Sequence, residues 1–124
     1  MKTILPAIIM LLGLLTCQAQ HKLLPPVKFA REMAASKGQV IDVRTPKEYK
    51  AGRIAYAVNL HVYDKDFEQR INKLDKNKPV YVYCKVGGRS AEAVAIMKAN
   101  NFKNIVELEG GMDAWTEAGQ PVQK

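Results

Sequence analysis

Cysteine and histidine are scarce in this chain, two of each in 124 residues. Neither cysteine pairs with a histidine at metal-ligand spacing, which argues against a zinc-type site. Aromatics are few, at 7% of the residues. The chain has 19 lysines and arginines against 12 acids, a net charge of +7, but the basic residues are scattered and have few aromatics between them. That is not the footprint of a nucleic-acid binder. It describes a solvated basic surface whose overall field attracts small anions. Internal repeats and low-complexity tracts are absent. The one long apolar run lies at the N-terminus and is too short to span a bilayer comfortably. What remains is a single domain; a mature region of about a hundred residues buries about 65% of its unfolded surface, enough for one core without staples.

The N-terminus has the pattern of an export signal. Met1-Lys2 supplies a positive end, and an apolar stretch runs from Ile4 to Leu15, broken only by Pro6 and Gly13. Two processing routes fit. Cleavage after Ala19 uses the small residues Cys17 and Ala19; a lipoprotein signal instead uses Cys17 as the lipidated residue. Residues 1–19 are therefore set aside as a signal, 20–26 read as a linker, and 27–124 as the folded domain. The expected location is periplasmic, with membrane attachment only if Cys17 is lipidated. Either route leaves Cys84 as the lone thiol in an oxidising compartment, a candidate reactive group. The competing reading is a buried, inert cysteine acting as a small hydrophobe.

Periodicity along the domain alternates. Apolar residues at 27, 29, 30, 33 and 34 have helical spacing. "QVIDVR" (39–44) reads as a strand. "TPKEYKAG" opens a short helix with a threonine cap and a proline at its first position. "AVNLHV" (57–62) reads as a strand and residues 63–74 as a helix with Asp64 as its cap. "VYVYC" (80–84) is β-branched and aromatic without charge, as a central parallel strand should be. A helix over 90–101, a strand over 104–110 and a helix over 111–119 complete the pattern. This predicts an α/β fold with a mainly parallel sheet and helices on both faces. Such sheets bind ligands at the carboxyl ends of their strands, where Cys84 stands.

After Cys84 come Lys85, Val86, Gly87, Gly88, Arg89 and Ser90. A thiol is a nucleophile only as thiolate, and no histidine neighbours it in the loop. His21 and His61 read as ordinary surface or packing residues. The loop can favour the anion itself. Gly87 and Gly88 let successive amides turn inward as a nest. The helix that follows adds its positive end, and Arg89 adds a fixed charge and a planar fork. The same features would favour a negatively charged sulfur attached to Cys84.

"CKVGGRS" resembles the active-site loop of rhodanese-like sulfurtransferases. "VIDVRTPKEYKAGRIAYAVNL" (40–60) and "LEGGMDAWTEAGQPV" (108–122) resemble the family's first and C-terminal signatures. The three ordered motifs cover the mature domain. The resemblance implies a single rhodanese domain in which Cys84 carries sulfur and the backbone of Lys85 to Arg89 and Ser90 cradles a persulfide. Arg53 and Tyr56 depart from the family's usual histidine and glycine. Asp42 and Arg44 match its Asp-x-Arg pattern and read as loop-holding rather than catalytic. Trp115 reads as a packing aromatic.

The expected function is transfer of sulfane sulfur from a donor such as thiosulfate or polysulfide, through a Cys84 persulfide, to cyanide or a thiol. No metal or organic cofactor is expected. The expected partners are a small anionic donor, attracted by Lys85 and Arg89, and a thiol or cyanide acceptor, with a thiol-redox protein as a third candidate. A monomer is expected. Competing readings are a non-catalytic rhodanese-like binding module, a thiol-redox protein, and a phosphatase of the related scaffold. Phosphatase loops place one more residue between cysteine and arginine than the four here, Lys85 to Gly88.

Overall fold

The computed structural model describes residues 19–124. The export signal read on the sequence, Cys17 included, falls outside the described residues apart from Ala19. In chain order the elements are β1 (Gln20–Leu24), α1 (Pro26–Ser36), β2 (Gln39–Asp42), α2 (Pro46–Ala51), β3 (Val58–Asn59), α3 (Phe67–Ile71), β4 (Val80–Tyr83), α4 (Gly88–Ala99), β5 (Asn104–Leu108) and α5 (Gly111–Glu117). The strands form one parallel sheet in the order β1-β5-β4-β2-β3. No helix among the described residues is long and apolar enough to cross a membrane.

The uncharged "VYVY" of β4 is explained by cover on both sides. Val80, Val82 and Cys84 face a cluster built with Phe67 and Ile71 of α3 and Ala93, Val94 and Met97 of α4. Tyr81 and Tyr83 face the other way, with Phe29 of α1 and Met112 and Trp115 of α5. Phe29 meets Tyr81 and Trp115 edge-on, at 5.4 and 6.2 Å between ring centroids. The Trp115 indole N–H donates to the Pro121 carbonyl at 2.8 Å. It is the packing aromatic that its sequence context suggests.

Three details differ from the sequence reading, and a fourth fills in a turn that it singled out. The segment read as a linker, 20–26, contains β1, which pairs in register with β5 from Gln20↔Asn104 to Leu24↔Leu108. Four of its five residues are exposed and its two leucines are adjacent, so it carries no alternation for a sequence to reveal; pairing with a buried neighbour creates it. β3 is confined to Val58–Asn59, and the Asn59 side-chain amide turns inward and donates to the Asp42 and Arg44 carbonyls at 3.0 and 2.8 Å. α3 is shorter than read, and Asp64 does not cap it; Asp64 meets His61 Nδ1 at 3.3 Å and Arg70 at 3.7 Å. Finally, Tyr56 adopts φ 67°, the left-handed region that costs an L-residue about 1–2 kcal/mol. A glycine at this turn, as is common in the resembled family, avoids that cost.

The topology places the site. β2 and β4 are neighbours at the middle of the sheet. The chain leaves β2 through α2 toward β3, and leaves β4 through α4 toward β5, on opposite sides. Diverging connections open a crevice between the carboxyl ends of β2 and β4, the usual ligand position in parallel α/β sheets.

Candidate active site

Cys84 is the first residue beyond β4 and is 1% exposed. Gly87, at φ 129°, turns the chain back over it and donates its N–H to the sulfur at 3.0 Å. α4 starts at Gly88, so its first amides have no partner within the helix and its positive end faces the thiol. The Cys84 thiol is 3.5 Å from the Ser90 hydroxyl, one turn into α4. Of the loop amides read as a nest, the Gly87 N–H is the one that contacts the sulfur directly.

The loop is held from behind by the Gly-Gly pair of the C-terminal motif. Gly110 and Gly111 have φ of 74° and 58°. This lets Met112 and Asp113 at the start of α5 donate their N–H groups to the Cys84 and Lys85 carbonyls at 2.8 and 3.1 Å. A Cβ on Gly111 would lie 2.5 Å from both of those carbonyl oxygens. These two bonds fix the Cys84 and Lys85 carbonyls toward α5, on the loop that carries the Gly87 N–H to the sulfur.

Asp42 and Arg44 frame the crevice and do not touch Cys84. The Arg44 guanidinium donates to Asp42 through Nε at 3.0 Å and Nη2 at 2.6 Å, and Nη2 also reaches the Gly52 carbonyl at 2.7 Å. The pair ties the end of β2 to the end of α2, as a loop-holding role requires. Tyr83 accepts the Ile54 N–H at 3.1 Å, and burial, with Asp42 nearby, pushes its phenol pKa up.

Arg89 and Lys85 were expected to meet an anionic donor. In the structure each is paired with a carboxylate. Arg89 forms a two-pronged pair with Glu48, at 2.7 and 2.9 Å, bridging α4 to α2 across the crevice. Lys85 meets Asp113 at 2.7 Å on the surface. Glu48 also closes the capping box of α2 with Thr45. The Arg89 hydrogen bond holds the Glu48 carboxyl at about 2, below its ordinary 4.5. A carboxyl depressed in this way stabilises the fold in full above about pH 4.5 and loses that contribution as pH falls toward about 2. Glu48→Gln should therefore flatten the acid limb of the stability curve by about 1 kcal/mol, given that both side chains are partly wet. Urea unfolding of parent and variant across that range checks it; superimposable acid limbs would show the pair contributes nothing.

Two residues of this region did not stand out in the sequence. Glu107 of β5 is 5% exposed and faces α4, where the Ser90 hydroxyl donates to its Oε2 at 2.7 Å. His21 of β1, read as an ordinary surface or packing residue, lies with Nε2 3.0 Å from Glu107 Oε1. The signal was present in "NIVEL": an acid at an inward position of an otherwise apolar strand needs a partner. His61 stays away from the thiol, against Asp64 and Tyr63. Among the described residues no cluster of histidine, cysteine and acid could hold a metal.

Comparison with known proteins bears on family and fold. Residues 26–118 match the Rhodanese-like domain family. The chain is 31% identical over 83 residues to a protein named Sulfurtransferase from Allochromatium vinosum, covering 67% of this chain and 76% of that one. It is 38% identical over 79 residues to the uncharacterized protein YqhL of Bacillus subtilis, covering 64% of this chain and 61% of that protein, less than two thirds of its length. Among solved structures, a rhodanese-related protein from Thermoplasma volcanium superimposes with a TM-score of 0.72 at 30% identity, over 82% of this chain and 97% of that one. A cysteine at the head of a glycine loop, at the switch point of a five-stranded parallel sheet, within a domain matched almost end to end, places this chain in the rhodanese-like family.

Proposed function

We propose that the protein is a sulfurtransferase that carries sulfane sulfur as a persulfide on Cys84. The observation that carries this reading is the buried Cys84 sulfur receiving the Gly87 N–H at 3.0 Å at the positive end of α4. That environment lowers the cost of a negative sulfur where bulk water cannot. With thiosulfate, the Cys84 thiolate attacks the outer sulfur. A new S–S bond forms, the old one breaks, and sulfite leaves with the bonding pair. The negative terminal sulfur then lies among the loop amides. Cyanide or a thiolate attacks it next, breaks the Cys84–sulfur bond and regenerates the thiolate. Two chemical half-reactions on one nucleophile give ping-pong kinetics.

Relatives named for sulfur transfer and for carrying sulfur support the class of chemistry. Thiosulfate or polysulfide as donor and cyanide or a thiol as acceptor are part of the proposal. So is export to the periplasm, or to a membrane surface through a lipidated Cys17, which rests on the N-terminal apolar run. Arg89 and Lys85 take an indirect role here: Arg89 fixes the start of α4 through Glu48, and Lys85 sits over α5 through Asp113.

Intact-mass measurement after exposure to thiosulfate, polysulfide or 3-mercaptopyruvate tests the reading. The expected result is a gain of one sulfur atom, removed by cyanide. No gain with any donor overturns the transferase reading. Protein taken from its native host also reports processing in the same measurement, and a retained Met1 overturns export.

A further inference from the structure

The loop around Cys84 stabilises a thiolate but offers no group to take its proton. The structure supplies one from outside the loop. The Cys84 thiol donates to Ser90 Oγ at 3.5 Å, Ser90 donates to Glu107 Oε2 at 2.7 Å, and Glu107 Oε1 lies 3.0 Å from His21 Nε2. These four side chains come from the cysteine loop, α4, β5 and β1. Glu107 is 6% exposed at its side chain, whereas His21 is 27% exposed, so the chain of contacts runs from a buried sulfur to the solvent edge of the sheet. We propose that Glu107, acting through the Ser90 hydroxyl, is the base that receives the Cys84 thiol proton, and that His21 holds the carboxylate and opens it to water.

The step balances without any further reactant. The S–H bond of Cys84 breaks and its proton moves to Ser90 Oγ as the Ser90 proton moves to Glu107 Oε2. Thiol and carboxylate become thiolate and carboxylic acid. Each hydrogen bond reverses: Glu107 then donates to Ser90, and Ser90 donates to the thiolate. The sulfur gains a second donor besides the Gly87 N–H at 3.0 Å. Ser90 has a single hydroxyl proton, and the Gly87 carbonyl at 3.0 Å competes for it with Glu107 Oε2, the shorter contact at 2.7 Å.

Few other charged groups face this chain. β4 sets Val82 beside Glu107 in register, and β1 contributes His21. Near the sulfur, α4 contributes Arg89, whose fork is held by Glu48 of α2, and the chain before α3 contributes the Tyr63 phenol. Ser90 touches the reacting atom; Glu107 and His21 act through it and are positioning residues. This inference concerns ionisation of Cys84 and deepens the proposed sulfur transfer, for which the thiolate is required.

Alkylation of Cys84 by iodoacetamide reads the thiolate without any sulfur transfer, so it can fail or succeed independently of the transferase reading. In the parent protein the relay predicts two steps in the pH dependence of the rate. A lower one appears as the thiol–carboxylate pair comes to share one proton, and a higher one as the second proton leaves. A single step overturns the proposal on the parent alone. Glu107→Gln keeps the shape and the hydrogen bonds but cannot accept the proton. It should lose the lower step, with alkylation near pH 6–7 falling about tenfold or more and the alkaline plateau retained. Were Glu107 only a buried neighbouring charge, the sign would be opposite, since removing a nearby negative group eases thiolate formation. A rate at neutral pH that is unchanged or raised in Glu107→Gln therefore sinks the relay. Ser90→Ala should behave as Glu107→Gln does, and Ser90→Thr, which restores the hydroxyl, should recover the lower step.

Discussion

Cys84→Ser is expected to fold as the parent does and to take up no sulfur. The reason is chemical first. Attack on a sulfane sulfur needs an anion, and a serine hydroxyl at this position stays protonated under conditions in which a thiol ionises. The reason for an intact fold is geometric. The Cys84 sulfur sits between the Gly87 N–H at 3.0 Å and the Ser90 hydroxyl at 3.5 Å. A hydroxyl in its place can accept from one and donate to the other, so the substituted oxygen is not left unsatisfied and stability should change by no more than about 1 kcal/mol. An inert packing cysteine predicts the reverse for activity: it is lost only as far as the fold is lost. Thermal midpoint and thiosulfate-dependent thiocyanate formation, measured on the same samples, separate the two. Near-parent turnover in a folded variant would leave the proposed reaction without its nucleophile.

Arg44→Ala should cost more stability than any surface change in the molecule. Asp42 is fully buried and Arg44 is 5% exposed, and they face each other through three charge-assisted contacts between 2.6 and 3.1 Å. Removing the arginine strands the carboxylate without its cation and frees the Gly52 carbonyl at the end of α2. Breaking one side of a buried pair costs about 3–5 kcal/mol, which for a domain of this size lowers the melting temperature by roughly 15 °C or more. A drop of only a few degrees would mean that water replaces the guanidinium and that the pair is not structural. Because α2 carries Glu48, the partner of Arg89, the variant should also loosen the start of α4. Reduced sulfur transfer below the melting range is the expected companion effect.

These two residues differ in how visible they were before the fold was known. Cys84 was legible because its signal is local: an apolar strand, then two glycines and an arginine, is a strand-to-helix loop whatever surrounds it. Asp42 and Arg44 were legible in part. Two charges closing an apolar strand suggested a loop-holding role, but not that each is the other's partner, although their contact spans only two residues of chain. Arg89 was located correctly at the head of a helix, but its partner was not foreseeable. Glu48 lies 41 residues away and reaches Arg89 only because α2 and α4 diverge from adjacent strands.

Alternation of strand and helix, the position of the thiol beyond an uncharged strand, and the glycines that turn the chain over it were all determined by the sequence itself. Periodicity, β-branching and backbone freedom act over a few residues and survive in any context. The strand order was decided only by the tertiary structure, and with it everything that depends on which strands are neighbours. β1 became a strand by pairing with β5 rather than by any apolar pattern of its own. The same pairing brought His21 to Glu107 across 86 residues of chain, and the packing of α4 on β5 brought Glu107 to Ser90 and so to Cys84. A buried acid announces that it needs a partner; the fold alone determines which side chain is close enough to be that partner.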